Sequence, residues 1–380
     1  MAATRHIAIL LALLGWLPGQ GAFAAVLPED RSDALFHTYD GGGVQVNGPS
    51  ILIRKAVGES VSLSVNYYVD SISSASIDVI TQASPYTEKR MEHSFSMDYL
   101  HGESTMSLAY TTSTESDYDA NTASFSISQD LFGDLTTVTL GYSRGMNEVR
   151  KNNDPAFQKE LKTHSYRVGV SQVLSKNLLL VLAYETIADE GYLNNPYRSV
   201  RYLDSNVAKG YSYQGEVYPN TRTSNSVSLR ARYYLPYRAV IHAGTRLFAD
   251  SWGIQATDYE IGYVHPYQDN WIFELRYRSY SQSHASFYSD LFAQRDAQNF
   301  LARDKELSTF SDQTIGIEAS YEILKNGWSF FNKGSVNLAY DRIFFDYQDF
   351  RDLTAGGSAG QEPLYSFTAN IFRLYLSLWY

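Results

Sequence analysis

The chain has no cysteine, and after its first two dozen positions it has no apolar run long enough to make a membrane-crossing helix. The first absence excludes disulfide staples, thiolate chemistry and cysteine-ligated metals. The second follows because a spanning helix needs about 20 apolar residues. Basic residues are in deficit, 31 Lys and Arg against 41 Asp and Glu, and an acidic chain of this kind is a poor nucleic-acid binder. His37, His93, His101, His164, His242, His265 and His284 are scattered with no HxxxH pair, and no phosphate-cradling glycine motif occurs. No cofactor or metal centre is therefore expected. Asp117 with Asp119, and Asp346 with Asp349, are spaced to hold Ca²⁺, though ordinary solvated turns explain such pairs equally well.

What the chain has in quantity is tyrosine. There are 31, in a sequence that is 14% aromatic yet has a mean hydropathy of -0.30. That combination arises when one side of each strand meets lipid and the other meets water.

Residues 1–24 read as a secretory signal peptide. Arg5 and His6 form a short positive region, Ile7 to Leu17 an apolar stretch, and Ala22-Phe23-Ala24 a small-x-small cleavage pattern. Cleavage after Ala24 removes Arg5 and leaves a single domain, 25–380, with a formal charge of -11. Alanine at position 25 excludes a lipoprotein anchor.

Downstream, side chains alternate with period two. Val61, Leu63, Val65, Tyr67 and Val69 interleave with polar residues, as do Val138, Leu140 and Tyr142, and later Val227, Leu229, Ala231 and Tyr233. Each segment is about ten residues long, enough for a tilted strand to cross a bilayer. Short connections near Gly58-Glu59, Gly102-Glu103, Gly133-Asp134, Ser175-Lys176, Pro236-Tyr237, Pro266–Asn270 and Lys325–Gly327 alternate with long polar ones. The long ones are Ser71–Arg90, Thr112–Ala120, Gly145–Lys162, Ile187–Thr223, Ala249–Gln255, Ser281–Phe310 and Asp346–Pro363. With one more hairpin at Asp40–Gly43, the expected fold is all-β: a closed antiparallel up-and-down transmembrane β-barrel of about 16 strands, with short periplasmic turns and long outer loops. Tyr110, Tyr142, Tyr184, Tyr277 and Tyr340 fall at the outer ends of their apolar faces, and Tyr233, Tyr263, Trp271 and Tyr321 at the periplasmic ends. Two aromatic girdles result. The segment Phe372–Tyr380 alternates to a terminal aromatic, resembling the signal read by the barrel insertion machinery. The expected location is a Gram-negative outer membrane.

Several stretches carry a more specific likeness: Asp40–Gly43, Tyr68–Asp70 running into Ser73–Ser76, Gly191–Arg198, Arg230–Pro236 and Asn299–Leu307. Together they resemble a domain-of-unknown-function family (DUF3570) of proteobacterial outer-membrane β-barrels. The resemblance implies a barrel over nearly all of the mature chain. It also implies a setting beside a small lipoprotein, a thioredoxin-like protein and a flavin-attaching enzyme, hence a role beyond passive diffusion.

The polar face of the later strands is charged. Arg230, Arg232, His242, Arg246, Asp258, Glu260, Glu274, Arg276, Arg278, Glu318 and Asp341 share one parity and should face the lumen. They make either a wall that orients ions, a solute or a partner, or a salt-bridge ladder that stiffens the barrel. Tyr197, Arg198 and Arg201 stand out in the loop Ile187–Thr223, for ligand contact or for loop packing. The loop Ser281–Phe310 has a partly helical pattern and is expected to fold inward or to cap the barrel. Ser283, His284 and Asp290 supply the residue types of a hydrolase triad, but adjacency of serine and histidine argues against a working one, and no enzyme activity is expected. The functional expectation is a porin-like channel or transporter for small polar or ionic solutes. The alternatives are a scaffold barrel holding a periplasmic lipoprotein or electron-transfer partner and, more remotely, an outer-membrane hydrolase.

Overall fold

The computed structural model describes residues 26–77, 81, 86–152, 154–325 and 327–380, so the expected signal segment 1–24 lies outside the described residues. Strands β1 (Arg31–Gly41), β2 (Val44–Val57), β3 (Val61–Ser74), β4 (Tyr86–His101), β5 (Ser104–Thr114), β6 (Tyr118–Leu131), β7 (Thr136–Lys151), β8 (Asp154–Ser175) and β9 (Leu178–Gly191) pair in sequence. The short strands β10 (Ser199–Leu203) and β11 (Tyr211–Gly215) form a separate hairpin within a loop. The sheet resumes with β12 (Thr221–Tyr234), β13 (Val240–Asp250), β14 (Gln255–Tyr267), β15 (Trp271–Gln282), β16 (Phe310–Glu322), β17 (Lys333–Arg351) and β18 (Leu364–Trp379). β9 pairs with β12, and β18 closes the ring on β1, giving a sixteen-strand antiparallel barrel without a free edge. Closure leaves no barrel strand with an unpaired edge, which a sheet in hydrocarbon requires.

Alternation sets the two faces. Outward positions are apolar and open to the surroundings: Val65, Phe95, Leu108, Leu140, Leu182, Leu247, Leu275 and Ile317 all leave much of their surface uncovered. In water such a belt would be an aggregation surface; around a closed barrel it is the face that meets lipid. At the long-loop end of this belt, outward tyrosines hand their hydroxyls to the neighbouring strand. Tyr110 donates to Asn121 (3.0 Å), Tyr184 to Asn225 (2.8 Å) and Tyr340 to Asn370 (2.8 Å), and Tyr142 meets His164 at 2.9 Å. At the other end Trp271 and Tyr321 pack with ring centroids 4.6 Å apart. These rows are the two girdles, ring against lipid and polar tip toward water.

Connection lengths depart from the expectation in identifiable places. The segments Thr112–Ala120 and Gly145–Lys162 are mostly strand, with true connections only at 115–117 and 152–153, and within Ala249–Gln255 the connection is 251–254. β8 runs 22 residues, roughly 70 Å of extended chain, so its hairpin with β7 rises well past the bilayer. Beyond the lipid both faces are wet and period-two hydrophobicity fades, although backbone pairing continues; a pattern based on polarity sees a loop there. The turn expected at Lys325–Gly327 is longer, 323–332. The helical pattern within Ser281–Phe310 yields one 3-10 turn, Lys305–Leu307, capped by Asp304, whose side chain accepts the Glu306 N–H at 3.0 Å.

Candidate functional site

The interior has two unlike halves. On the side of β15–β18 and β1–β3, inward residues of the long-loop half form a solid apolar cluster that includes Tyr39, Val46, Ile72, Phe310, Ile343, Phe345, Tyr347 and Ile371. Toward the short-turn end the same strands switch to charge. Arg276 Nη2 donates to Asp341 Oδ1 at 2.5 Å, and Arg373 Nη2 to Asp341 Oδ2 at 2.5 Å. Arg278 bridges Asp258 and Asp312. His242 meets Glu274 at 3.2 Å and Glu260 at 3.6 Å, and Tyr375 donates to Glu318. Across the seam, His37 and Arg90 hold Asp70 at 2.9 and 2.8 Å.

Four of these contacts skip a strand: Arg276 to Asp341, His242 to Glu274, His37 to Asp70 and Tyr375 to Glu318. In the first two the residue passed over is a glycine whose missing side chain leaves room for the pair. Arg276 on β15 and Asp341 on β17 both stand opposite Gly316 of β16. A Cβ at Gly316 would lie 2.2 Å from Asp341 Oδ1 and 3.0 Å from Arg276 Nη2. Likewise His242 on β13 reaches Glu274 on β15 over Gly262, where a Cβ would fall 2.1 Å from His242 Nε2. The absent side chain is the space in which the ion pair sits.

The opposite half, β5–β8, presents small inward residues: Ser107, Ser124, Ser126, Thr139, Gly141, Ser143, Ser165 and Gly169 alternate there with outward apolar ones. Inward hydroxyls of β4–β7 bond across the strands, as Ser94 with Thr111 and Ser128 with Thr139, both at 2.8 Å. Arg230, Arg232 and Arg246 flank this wall with lumenal parity and, among the described residues, without ion pairs. Arg230 stands opposite Gly244. Of the charges expected to line the lumen, Glu260, Glu274, Arg276 and Asp341 are thus joined in a ladder with His242, Asp258 and Arg278 form a separate group with Asp312, Glu318 is bonded to Tyr375, and the three arginines stand apart.

The long loops fold onto one another above the β12–β18 side. Tyr218, Trp252, Ile254, Phe287, Tyr288 and Leu307 form one apolar core there, and Val200, Phe292 and Leu301 another. Arg201 is completely buried between Asp290 and Glu362, Arg303 also holds Asp290 (2.9 Å), and Arg198 pairs with Asp304. Tyr197 Oη accepts the Asn152 N–H at 2.7 Å. The three loop residues singled out in the sequence therefore lie in loop-to-loop packing. Glu216 accepts from Tyr218 Oη (2.6 Å) and the Arg303 N–H (2.7 Å); burial, then the nearby Asp304 carboxylate, push its carboxyl up to about 7. Beside this cap a cleft of about 460 Å³ is lined by His284, Tyr288, Asp290, Asp349 and Arg351. His284 Nδ1 bonds Asp349 at 2.8 Å rather than Asp290, which is held by arginines, and Ser283 Oγ faces the carbonyls of Gly253 and Gln255 at 3.5 Å.

At the rim between β4 and the β5–β6 connection, Glu88, Glu115 and Asp117 converge, one carboxylate oxygen of each within 4.8 Å of the others. Burial, then Glu88, raise the Glu115 carboxyl to about 7, and burial also raises Asp117. Asp119, the partner expected for Asp117, turns away to Arg150 at 2.6 Å. Only Asp117 of this trio was visible as a candidate in the sequence, since Glu88 is brought in by strand pairing.

No curated protein is significantly similar to the chain. Among solved structures it is similar to a bacterial polysaccharide outer membrane secretin (6% identity, 94% of this chain and 99% of that one, TM-score 0.48). It is similar also to CdiB from Acinetobacter baumannii (11% identity, 92% of this chain but 60% of that one, TM-score 0.49). A Pseudomonas aeruginosa FadL homologue is a third (10% identity, 93% and 91%, TM-score 0.43). The family model described as "Protein of unknown function (DUF3570)" matches residues 76–339, more than half of the chain, and the protein belongs to that family of outer-membrane-type barrels.

Proposed function

We propose that this barrel is a channel for small polar or ionic solutes, which travel along the β5–β8 wall and past Arg230, Arg232 and Arg246. One observation carries the reading: the interior is divided, with one half filled by an apolar cluster and ion-paired charges and the other lined by hydroxyls, glycines and, among the described residues, cations without ion pairs. A barrel needing only rigidity gains nothing from lumenal arginines without partners, because each is a desolvation liability unless hydrated. Hydrated, they supply a field at the solute path. The packed half narrows the passage, and so favours small solutes over an open pore.

Purified protein in planar bilayers tests this directly. Stepwise conductance is expected, with an ion preference that changes when Arg230, Arg232 and Arg246 are together replaced by glutamine. A barrel that never conducts, and that leaves native membranes with a stoichiometric periplasmic partner, would instead be a scaffold.

A further inference from the structure

We propose that Glu88, Glu115 and Asp117 form a binding site for one hard divalent cation at the long-loop rim, with Ca²⁺ the best match. All three are buried, at 8%, 8% and 4% exposure, and three carboxylates drawn together away from water repel one another strongly. Oxygens lying within 4.8 Å of each other are spaced as ligands that each stand about 2.4 Å from a common ion.

Among the described residues none of the three carboxylates has an ion-pair partner, and the nearby cations are held by other acids, although the charge of Arg90 reaches Glu115. Arg90 is committed to Asp70 at 2.8 Å and Arg150 to Asp119 at 2.6 Å. Glu88 Oε1 is occupied by the Ser116 N–H (2.8 Å) and hydroxyl (2.5 Å), which pin the side chain in place. Glu88 Oε2 is buried and, among the described residues, accepts no hydrogen bond, although its residue is more than nine-tenths covered. A buried carboxylate oxygen without a donor is costly, and a cation satisfies it. The donor set is all oxygen and all carboxylate, which selects hard ions over zinc or copper, and a strand end joined to a tight connection suits the flexible geometry of Ca²⁺ better than the strict octahedron of Mg²⁺. Tyr197 donates to Asp117 and accepts from the Asn152 N–H, so an ion here would tie β4, the β5–β6 connection, the β7–β8 hairpin and the loop after β9 into one rim.

The test is calorimetric titration of CaCl₂ into the full barrel, purified in detergent, stripped with chelator and freed of it, with MgCl₂ as a parallel arm. One Ca²⁺ per barrel is expected, bound more tightly than Mg²⁺. Glu115→Gln should weaken binding at least tenfold, while Asp119→Asn, outside the cluster, should leave it unchanged. Absence of saturable Ca²⁺ binding to the wild-type barrel overturns the proposal, whether or not the variants fold. Stoichiometric binding that survives Glu115→Gln and Asp117→Asn together overturns it also.

Discussion

Arg201 and Glu362, 161 residues apart in the chain, meet in a buried two-pronged ion pair, Nη1 to Oε1 at 2.5 Å and Nη2 to Oε2 at 3.0 Å. The same guanidinium is held by Asp290, so three loops are joined through one side chain that no solvent reaches. Removing one partner of a buried pair leaves an uncompensated charge and costs about 3–5 kcal/mol. Arg201→Ala should therefore open the cap while sparing the barrel. Limited proteolysis would show cleavage within 192–220 and 283–309, with the heat-modifiable band of the folded barrel retained. Cleavage no faster than in wild type would mean that the apolar clusters alone hold the loops.

Cap stability should depend on pH through Glu216. Its folded carboxyl titrates near 7, above the ordinary value of 4.5. The folded cap therefore holds a proton that the opened cap releases, and stability falls as pH rises from about 4.5 to 7. Hydrogen exchange in the cap is expected to show stronger protection at pH 5.5 than at pH 8, after correction for intrinsic rates. Glu216→Gln should flatten that difference.

Gly316 tests the strand-skipping ladder. Gly316→Ala places a methyl 2.2 Å from Asp341 Oδ1, so either the Arg276–Asp341 bond breaks or the strands move. Overpacking of this kind costs about 1–3 kcal/mol. Urea unfolding from lipid vesicles should show a lowered midpoint, and Gly141→Ala, where a Cβ meets nothing nearer than 3.7 Å, should not.

The lipid face should be as intolerant of charge as the lumen face is tolerant. Leu275→Arg, in the middle of the apolar belt, is expected to destabilise by about 2–4 kcal/mol, whereas Ser126→Arg, facing the lumen, should be nearly neutral to stability and should alter conductance. Equal effects at the two sites would contradict the assignment of faces.

Much of this architecture is legible in the sequence, and the reason is physical. Where a strand crosses lipid, Val138, Leu140 and Tyr142 must alternate with Thr137, Thr139 and Gly141, so crossing strands announce themselves and can be counted. Where β7 and β8 leave the bilayer, the constraint lapses and Gly145–Lys162 reads as a loop although it is a ladder. Lumenal parity likewise identifies Arg276 and Asp341 as inward, but their contact across Gly316 depends on the curvature of a closed ring, which period two does not encode. The rim carboxylates show the same limit: Glu88 and Asp117 meet only because β4 and β5 pair in a particular register.

The central claim is that alternate residues face lipid and a wet interior, and the cysteine-free chain makes it directly measurable. Single cysteines carrying nitroxides at positions 123–128, in the barrel reconstituted into vesicles, report collisions with oxygen and with a water-soluble nickel complex. Oxygen-rich signals are expected at Ala123, Phe125 and Ile127 and the reverse at Ser124, Ser126 and Ser128. A profile without two-residue periodicity, or one with Phe125 open to nickel, would contradict it.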